Sequence, residues 1–421
     1  MRMKRVILAI LAACVVMTAS AQSYVDLIKA NPAMAGANMM NYHFEKSDYT
    51  PAPKGFKAFY ISHYGRHGSR YDANDEHASV AWPVMKKADS LGLLTDAGKA
   101  FYKDFNAVME EQEGMFGMLT RLGAEEHRAI ASRMADNFPE VFKGRDGRNE
   151  IYCQSTIIPR CIMSMTNFTH SLDRKTKGLE FTYVTGQKYY ETLAYRAAKR
   201  PPLVVAAAKE DSLRRADMNP MEIMNYLFND PEAACRIAGD PYEFEKHLYL
   251  ACSMGHLSDS GINLLKHFPV DVLIKNWEVR NPVFYLAFGM TDELAYYHKN
   301  VSRRLLADFV KRAEDAVDKG NDVAADLRFG HDTGILPLVG HIGIEGMDKW
   351  PKLDEVNSVW NSSVSICMGS NLQMIFYKDR SGEVIVKLMY NEKETTIPAL
   401  KTWSGPYYKW SALKPYLKSL L

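Results

Sequence analysis

Short strand-like segments occur toward both ends of this 421-residue chain, and a long block between them carries helical patterns alone. That block, residues 187–300, has helical, aromatic and charged stretches without a strong strand pattern. Strands that alternate with amphipathic helices indicate an α/β fold. We therefore predict a mostly parallel sheet flanked by helices, with residues 187–300 inserted as a mostly helical cap domain. The strands are predicted from runs of β-forming residues at 57–63, 150–154, 179–184, 325–329, 372–377 and 383–389.

The first residues have the pattern of an export signal. Arg2, Lys4 and Arg5 precede an apolar run at 6–17, which is too short to span a bilayer comfortably, and residues 19–21 read Ala-Ser-Ala. We predict a signal peptide at 1–21 and a periplasmic or secreted protein. Lipid anchoring through Cys14 is the alternative. No later segment is apolar enough to be predicted as a membrane span.

The α/β core is then predicted to comprise residues 22–186 and 301–421. Removing residues 1–21 takes away three basic side chains and no acid, which changes the formal net charge from +2 to −1. A nearly neutral chain gives no general signal for nucleic-acid binding. An odd number of cysteines remains and no C-x-x-C pair occurs, so we expect buried thiols with at most one disulfide. These cysteines are Cys153, Cys161, Cys235, Cys252 and Cys367.

Positive charge is concentrated directly after the first predicted strand, where residues 66–70 read Arg-His-Gly-Ser-Arg. Burying two guanidinium groups beside an imidazole costs free energy unless an anion balances them. A second motif, Gly-His-Asp-Thr-Gly at 330–334, follows the strand predicted at 325–329. Because ligands of α/β sheets bind at the carboxyl ends of strands, we expect both motifs to face one crevice.

The two motifs contain the groups that phosphoryl transfer requires. Arginine binds tetrahedral oxyanions through parallel hydrogen bonds, and a neutral imidazole is a competent nucleophile toward phosphorus. The carboxyl group of Asp332 could protonate a leaving alkoxide, and a helix beginning near Thr333 would direct its N-terminus at the anion. The alternative is a solvated loop at the first motif and an Asx-type turn at the second.

These residues resemble a known family. Residues 66–70 (RHGSR) resemble the RHGxR signature of the histidine acid phosphatases, which include phytases and multiple inositol polyphosphate phosphatases. Residues 119–123 (LTRLG) and 330–335 (GHDTGI) resemble two further family motifs, and 155–168 (STIIPRCIMSMTNF) resembles the segment that delivers a third phosphate-binding arginine.

The resemblance implies a mechanism without a metal or organic cofactor. His67 would attack phosphorus and become a phosphohistidine, Asp332 would protonate the leaving oxygen, and activity would be highest at acid pH. The substrate would be a small phosphomonoester. The implied phosphate-binding residues are Arg66, Arg70, Arg160 and His331.

Two departures from the family pattern concern the substrate. Asp72 replaces the proline of many phytase-like members, and His-Asp-Thr replaces the His-Ala-Glu of the inositol polyphosphate phosphatase branch. We expect inositol polyphosphates such as phytate, with a sugar-phosphate phosphatase or a non-catalytic phosphate-ester-binding protein as alternatives. Three basic residues of the insert either bind further phosphates or form a solvated helix end. They are Arg196, Lys199 and Arg200.

The remaining histidines and aromatic residues suggest no second site. His63 and His67 have a spacing used by metal ligands, but no acidic ligand pattern accompanies them, so no metal site is predicted. The other candidates are expected to pack in the core, and they are His170, His341, Tyr189, Tyr190 and Tyr195.

Overall fold

The computed structural model describes residues 23–143, 147–194 and 201–421. The predicted signal peptide, including Cys14, lies outside these ranges, as do Tyr195, Arg196, Lys199 and Arg200. Within them, strands β1 to β8 span Lys57–Arg66, Glu150–Ser155, Glu180–Val184, Val323–Gly330, Asn371–Lys378, Val384–Tyr390, Lys393–Thr395 and Tyr407–Lys409.

Sixteen α-helices occur in the described ranges. Helices α1 to α8 span Tyr24–Ala30, Glu76–Ser90, Asp96–Gln112, Arg121–Asn137, Pro159–Lys175, Gln187–Leu193, Pro201–Arg214 and Met221–Leu227. Helices α9 to α16 span Pro231–Ala238, Pro241–Cys252, Val270–Phe288, Ala295–Val317, Asp332–Ile342, Val356–Val359, Ser362–Ser365 and Trp410–Ser419.

The strands form one mixed sheet in the order β3-β2-β4-β1-β5-β6-β7, with β8 paired to β6. Strands β3, β2, β4 and β1 are parallel to one another, and β5 runs antiparallel to β1. The α/β class is confirmed. In the β1–β4 register Arg66 lies opposite Gly330, so both strands end at the same edge of the sheet.

Central strand β1 is longer than the 57–63 segment predicted from sequence. It continues through Tyr64 and Gly65 to Arg66. Strands β4 and β5 pair with its two edges, and its two faces are buried because helices cover both sides of the sheet. Buried central strands of this kind tolerate continuous apolar and aromatic runs. The strand therefore delivers Arg66 to the edge of the sheet inside the protein.

Apolar cores lie on both faces of the sheet. On one face, Phe309, Leu336 and Trp410 of α12, α13 and α16 pack against the strands, and on the other face Ile130 and Phe168 of α4 and α5 do so. A sheet covered on both faces needs such paired layers to bury its apolar side chains. The α4–α5 layer is the one that carries two of the expected site motifs.

A third apolar core is entirely helical. It combines Phe101 and Phe105 of α3 with Leu248 of α10 and Trp277 of α11. Helices α2 and α3 precede the predicted insert in the chain, so the helical region draws on two separate parts of the sequence. The boundaries 187–300 for a cap domain stay a prediction.

Two further features of the described ranges are the state of the cysteines and the lack of a membrane-spanning helix. The five cysteines in the described ranges are free thiols, and all but Cys235 are buried. In the same ranges, none of the helices is both long and apolar enough to cross a lipid bilayer.

Candidate active site

The two histidine motifs meet at the edge of the sheet. His67 follows β1, His331 follows β4, and their ring centroids lie 5.5 Å apart with the planes at 74°. Both side chains are buried. The parallel pairing of β1 with β4 is the physical reason, because it brings the carboxyl ends of the two strands together.

The loop after β1 is fixed by the start of helix α4. The Thr120 hydroxyl caps this helix by accepting the Gly123 N–H (3.2 Å) and donates to the Ser69 carbonyl oxygen (3.0 Å). Buried Glu126 accepts the N–H and the hydroxyl of Ser69, both at 2.7 Å. The LTRLG motif of 119–123 therefore acts as a clamp on the RHGSR loop.

Two glycines allow this clamp to close. A Cβ on Gly68 would lie 2.4 Å from the Gly123 carbonyl oxygen, and a Cβ on Gly123 would lie 2.1 Å from the Ser69 carbonyl oxygen. No other residue fits at such backbone approaches without displacing one of the segments. The glycines in both sequence motifs therefore have a steric explanation.

His67 is held as a neutral imidazole with one nitrogen fixed. Its Nδ1 lies 2.9 Å from the carbonyl oxygen of Gly68. Because a carbonyl can only accept, Nδ1 carries the proton and Nε2 is left with its lone pair. Burial, and then the charges of Arg160 and Arg66, lower the pKa of His67 well below its ordinary value. This is the protonation state that a nitrogen nucleophile needs.

Three guanidinium groups surround this imidazole. Fully buried Arg66 donates through Nη1 to the carbonyl oxygens of Asn38 (2.7 Å) and Ile366 (2.5 Å). Arg70 donates to the Tyr71 carbonyl oxygen (2.8 Å), and Arg160 donates to that of Gly117 (3.3 Å). In the described residues, the Nε atom of each of the three arginines has no hydrogen-bond acceptor.

The charges of these arginines are incompletely balanced. Burial and the neighbouring Arg160 lower the pKa of Arg70 to about 9, and Asp72 only partly opposes them. Burial likewise lowers the pKa of Arg160. Both groups still carry their charge at acid and neutral pH, so the site presents a positive potential to any anion that enters.

The second motif supplies an imidazole and a carboxylate. The Tyr64 hydroxyl accepts the backbone N–H of His331 (2.9 Å), and Nε2 of His331 lies 3.2 Å from the Thr156 hydroxyl oxygen. Burial and the Arg160 charge lower the pKa of His331 to about 3. Burial alone would raise the pKa of Asp332, but Arg66, whose Nη2 lies 3.2 Å from Oδ2, and then His331 outweigh it and hold that pKa below its ordinary value.

Sequence reasoning missed several residues of this site. Asn38 comes from the lead-in before β1, and its side chain donates to Asp332. Tyr190 of α6, expected to be a packing residue, places its ring 6.3 Å from that of His331. Glu126 and Thr156 hold other site residues, as described above. None of these positions has a local pattern that distinguishes it from an ordinary core or loop residue.

Other candidates from the sequence lie elsewhere. His63 packs against Phe168 and Phe329. Buried His341 bonds to the Ser302 hydroxyl at 2.8 Å, as expected of a packing residue, whereas His170 is exposed and the packing prediction was wrong for it. In the described ranges, no group of three or more His, Cys, Asp or Glu side chains is arranged as a metal site.

Comparison with known proteins shows which solved structures have a similar fold. No protein-family model matches the sequence, and no curated protein matches it. The crystal structure of the Bifidobacterium longum multiple inositol polyphosphate phosphatase complexed with inositol hexasulfate is similar, with a TM-score of 0.75, 18% identity, and 91% of this chain and 97% of that chain covered.

Two phytase structures are also similar. For the phytase from D. castellii the TM-score is 0.67 at 13% identity, with 92% of this chain and 84% of that chain covered. For the apo form of Hafnia alvei phytase the TM-score is 0.54 at 12% identity, with 88% and 98% covered. This chain therefore has the α/β fold, with its helical region, of multiple inositol polyphosphate phosphatase and phytase structures.

Proposed function

We propose that this protein is a histidine acid phosphatase that hydrolyses phosphomonoesters through a phosphohistidine on His67. One observation carries the proposal: three guanidinium groups with unused donors surround a neutral imidazole whose Nε2 lone pair is free. A phosphoryl group in transfer carries negative charge on its equatorial oxygens, and a positive cage stabilises that charge. The shared fold with phosphatases that act on such esters supports the same function.

In the first step, the lone pair of His67 Nε2 forms the N–P bond while the bond from phosphorus to the ester oxygen breaks. Asp332 transfers its proton to the departing oxygen, so an alcohol leaves and Asp332 becomes a carboxylate. Arg66, Arg70, Arg160 and His331 are proposed to bind the remaining phosphate oxygens. The hydrogen bond from Nδ1 to the Gly68 carbonyl keeps the attacking nitrogen in place.

In the second step, water attacks phosphorus and the N–P bond breaks. The Asp332 carboxylate takes a proton from this water, which restores the acid, and inorganic phosphate leaves. His67 regains its lone pair on Nε2. Every proton and bond is accounted for by side chains of the site and by water.

The charge of the substrate changes the pKa of Asp332. Before substrate binds, Arg66 and His331 hold the pKa of Asp332 low, which favours the carboxylate. A bound phosphate ester neutralises part of the arginine charge and adds a negative neighbour, and both effects raise the pKa of Asp332. Because the acid must be protonated to act, turnover should fall as the pH rises through that raised value. An acid optimum follows.

We propose inositol polyphosphates, such as phytate, as the substrate class. The support is the similarity of the fold to an inositol polyphosphate phosphatase structure in complex with inositol hexasulfate. A phosphatase acting on sugar phosphates is the second candidate, favoured by Asp72 at a position where many phytase-like relatives have proline. Catalytic efficiencies on phytate and on a sugar phosphate decide between them.

The test of the chemistry is phosphate release from a chromogenic ester at about pH 5, where neutral His67 and a protonated acid can coexist. We expect activity that resists EDTA, stops with vanadate, and leaves an acid-labile phosphoryl group on the enzyme after rapid quenching. The His67→Ala variant should lose turnover and labelling. Turnover by that variant at a rate near the wild type would refute the nucleophile.

The test of the acid uses two esters. Asp332→Asn should slow an alkyl phosphate, whose leaving group needs a proton, about 10²- to 10⁴-fold. It should slow an activated aryl phosphate far less. Equal losses on both esters would assign Asp332 a role in binding instead of proton transfer.

Export is part of the same proposal. The sequence pattern at residues 1–21 predicts cleavage before Gln22. N-terminal sequencing of the protein recovered from the periplasm or medium should begin at Gln22. A protein that retains Met1 in the cytoplasm would contradict this proposal, and a lipidated Cys14 would favour membrane anchoring.

A further inference from the structure

We infer that Asn38 is a positioning residue for the general acid: its side-chain amide orients the Asp332 carboxyl group while its main chain holds Arg66. The inference rests on the proposed phosphatase function. Nothing in the sequence distinguishes Asn38, which lies in the irregular segment before β1. The structure places it at the centre of the site.

Asn38 is in contact with both charged partners at once. It is 4% exposed, and its Nδ2 donates to Oδ2 of Asp332. Its carbonyl oxygen accepts from Nη1 of Arg66 at 2.7 Å, and Nη2 of Arg66 lies 3.2 Å from the same Oδ2. The three residues thus close a ring of contacts in which each one fixes the other two.

The segment around Asn38 is held in place on both sides. The Ala37 carbonyl oxygen accepts from the Ser363 hydroxyl (2.5 Å), and the Met40 carbonyl oxygen accepts the Met368 N–H (2.8 Å). Ala37 has φ +50°, a conformation that residues with a side chain adopt rarely. Such a conformation persists where the surrounding contacts enforce it and is often found at functional sites.

The contacts of Asp332 show what the amide contributes. Oδ1 accepts the Thr333 N–H at 2.7 Å, and Oδ2 receives Asn38 and Arg66. Donors to a carboxylate favour its charged form, so the Asn38 amide stabilises the state that Asp332 reaches after giving up its proton. It also fixes the plane of the carboxyl group relative to the bound ester.

Other groups near Asp332 also influence its proton affinity, and they remain when Asn38 is changed. They come from β1, the loop after it, α5 and the end of β4. These charged or titratable neighbours are Arg66, Arg70, Arg160, His331, Tyr64 and Cys161. Removal of the Asn38 amide therefore subtracts one donor from a site that is otherwise unchanged.

Two variants test the role. Asn38→Ala removes the donor, so Asp332 should hold its proton more strongly and the basic limb of the kcat–pH profile should move up by about one pH unit. Asn38→Asp keeps the shape but places a second carboxyl group against Asp332, so the upward shift should be larger. In both variants an alkyl phosphate should lose about 10- to 100-fold in kcat, and an activated aryl phosphate should lose much less.

Asn41→Ala is the matched control. Asn41 lies in the same segment, and its side chain bonds to the Tyr42 carbonyl oxygen at 3.4 Å. We expect the wild-type pH profile and the wild-type ratio of the two esters. If Asn38→Ala does not fold, the isosteric Asn38→Asp variant carries the test.

The outcomes separate this inference from the proposed function. A wild-type protein that turns over neither ester refutes the phosphatase and the inference with it. An active wild type whose Asn38 variants are folded, keep the wild-type basic limb and slow both esters equally refutes the inference alone. A shifted limb with selective loss on the alkyl ester supports the positioning role.

Discussion

Strand β4 carries two buried clusters of charge that differ in their balance. One lies in the middle of the strand around Asp326 and Arg328, and the other lies at its end around His331 and Asp332. Both clusters join β4 to β1 and to neighbouring helices. The comparison contrasts an ion-pair network whose charges are balanced with a cluster that has the excess of positive charge expected of an anion-binding site.

In the mid-strand cluster, two cations face two anions at short range. Arg328 Nε lies 2.6 Å from Asp308 Oδ2, and Arg312 Nη1 lies 2.7 Å from Asp326 Oδ1. The Tyr60 hydroxyl also donates to Asp326 at 2.7 Å. Burial lowers the pKa of Arg328, but the two aspartates outweigh burial and raise it overall. The charges in this cluster are matched within the protein.

At the strand end, three guanidinium groups face the carboxylates of Asp332 and Asp72, because the third buried carboxylate nearby, Glu126, accepts from Ser69 and Tyr42 and pairs with no arginine in the described residues. The Arg70–Asp72 pair is long, at 4.0 Å, and the pKa values of Arg70 and Arg160 are lowered instead of raised. The charged form of arginine is thus stabilised in the mid-strand cluster and destabilised in the strand-end cluster. An excess of one sign at the carboxyl ends of parallel strands is the signature of a site that binds an anion.

The largest expected effect comes from removing an arginine of the strand-end cluster. Arg160→Met should lower kcat/KM for a phosphomonoester about 10³-fold because a donor to the transition-state oxygens is lost. The free energy of unfolding should stay within about 0.5 kcal/mol of the wild type or rise, since the lost charge was poorly balanced. Steady-state kinetics and urea unfolding measure the two quantities.

Arg174→Met is the control for this change, because Arg174 lies on the same helix and is exposed. It should leave both quantities unchanged. An Arg160→Met protein with full activity and reduced stability would contradict the comparison, because it would show that Arg160 serves stability and not the reaction.

The mid-strand cluster should respond in the opposite way. Arg328→Met removes the short partner of Asp308 and leaves that carboxylate only the longer contact with Arg312, so the free energy of unfolding should fall by about 3 kcal/mol. Turnover of the folded fraction should change far less than in Arg160→Met. A stable Arg328→Met protein with abolished turnover would show that this cluster also serves the reaction.

Stabilisation by inorganic phosphate is a smaller expected effect, and it compares anion binding in variants of the two clusters directly. At a concentration 100 times its dissociation constant, phosphate should stabilise the wild type by about 2.7 kcal/mol, because it binds the folded state alone. The stabilisation should vanish in Arg160→Met and persist in Arg312→Met, which alters the mid-strand cluster. Thermal unfolding at fixed pH with and without phosphate measures it, and equal stabilisation of both variants would contradict the comparison.

The smallest expected effect is a pH dependence. The pKa of His331 is about 3 in the folded protein, whereas an exposed imidazole titrates near 6.5. Between these values the unfolded state binds more protons, so stability falls as the pH drops below about 6.5. At pH 5 the contribution lost through His331 should be about 2 kcal/mol.

Unfolding of His331→Asn at several pH values checks this expectation. The variant should show a weaker loss of stability between pH 6.5 and 5. His170→Asn, which changes an exposed imidazole, should follow the wild-type curve. An unchanged slope in His331→Asn would indicate that His331 is not held neutral.

Much of the site could be predicted from local patterns. The RHGSR and GHDTG motifs, each after a strand-forming run, were sufficient to place His67 and His331 at strand ends, and the LTRLG pattern predicted the start of a helix. Each of these signals depends on neighbours within a few residues. Asn38 and Tyr190 could not be predicted because their importance arises from contacts with residues far away in the chain.

The mid-strand cluster illustrates the limit of sequence reasoning. The stretch from Asp326 to Asp332 contains charged or titratable side chains of both clusters, including Arg328 and His331. Their residue types do not show which of the charges is balanced by a partner of opposite charge. Arg328 points to Asp308 of α12, whereas Asp332 points to Arg66 and Asn38. The balance of charge depends on which helices and segments pack against each face.

The sequence by itself determined the alternation of strands and helices, the glycines that permit close backbone approach, and the side chains that we propose hold and transfer a phosphoryl group. These depend on backbone sterics and on side-chain chemistry, which act locally. Only the tertiary structure decided that β1 pairs with β4, that Arg160 reaches the same point, and that Asn38 closes the ring with Asp332 and Arg66. Those contacts join residues far apart in the chain, and burial gives their charges an energy that exposed side chains would not have.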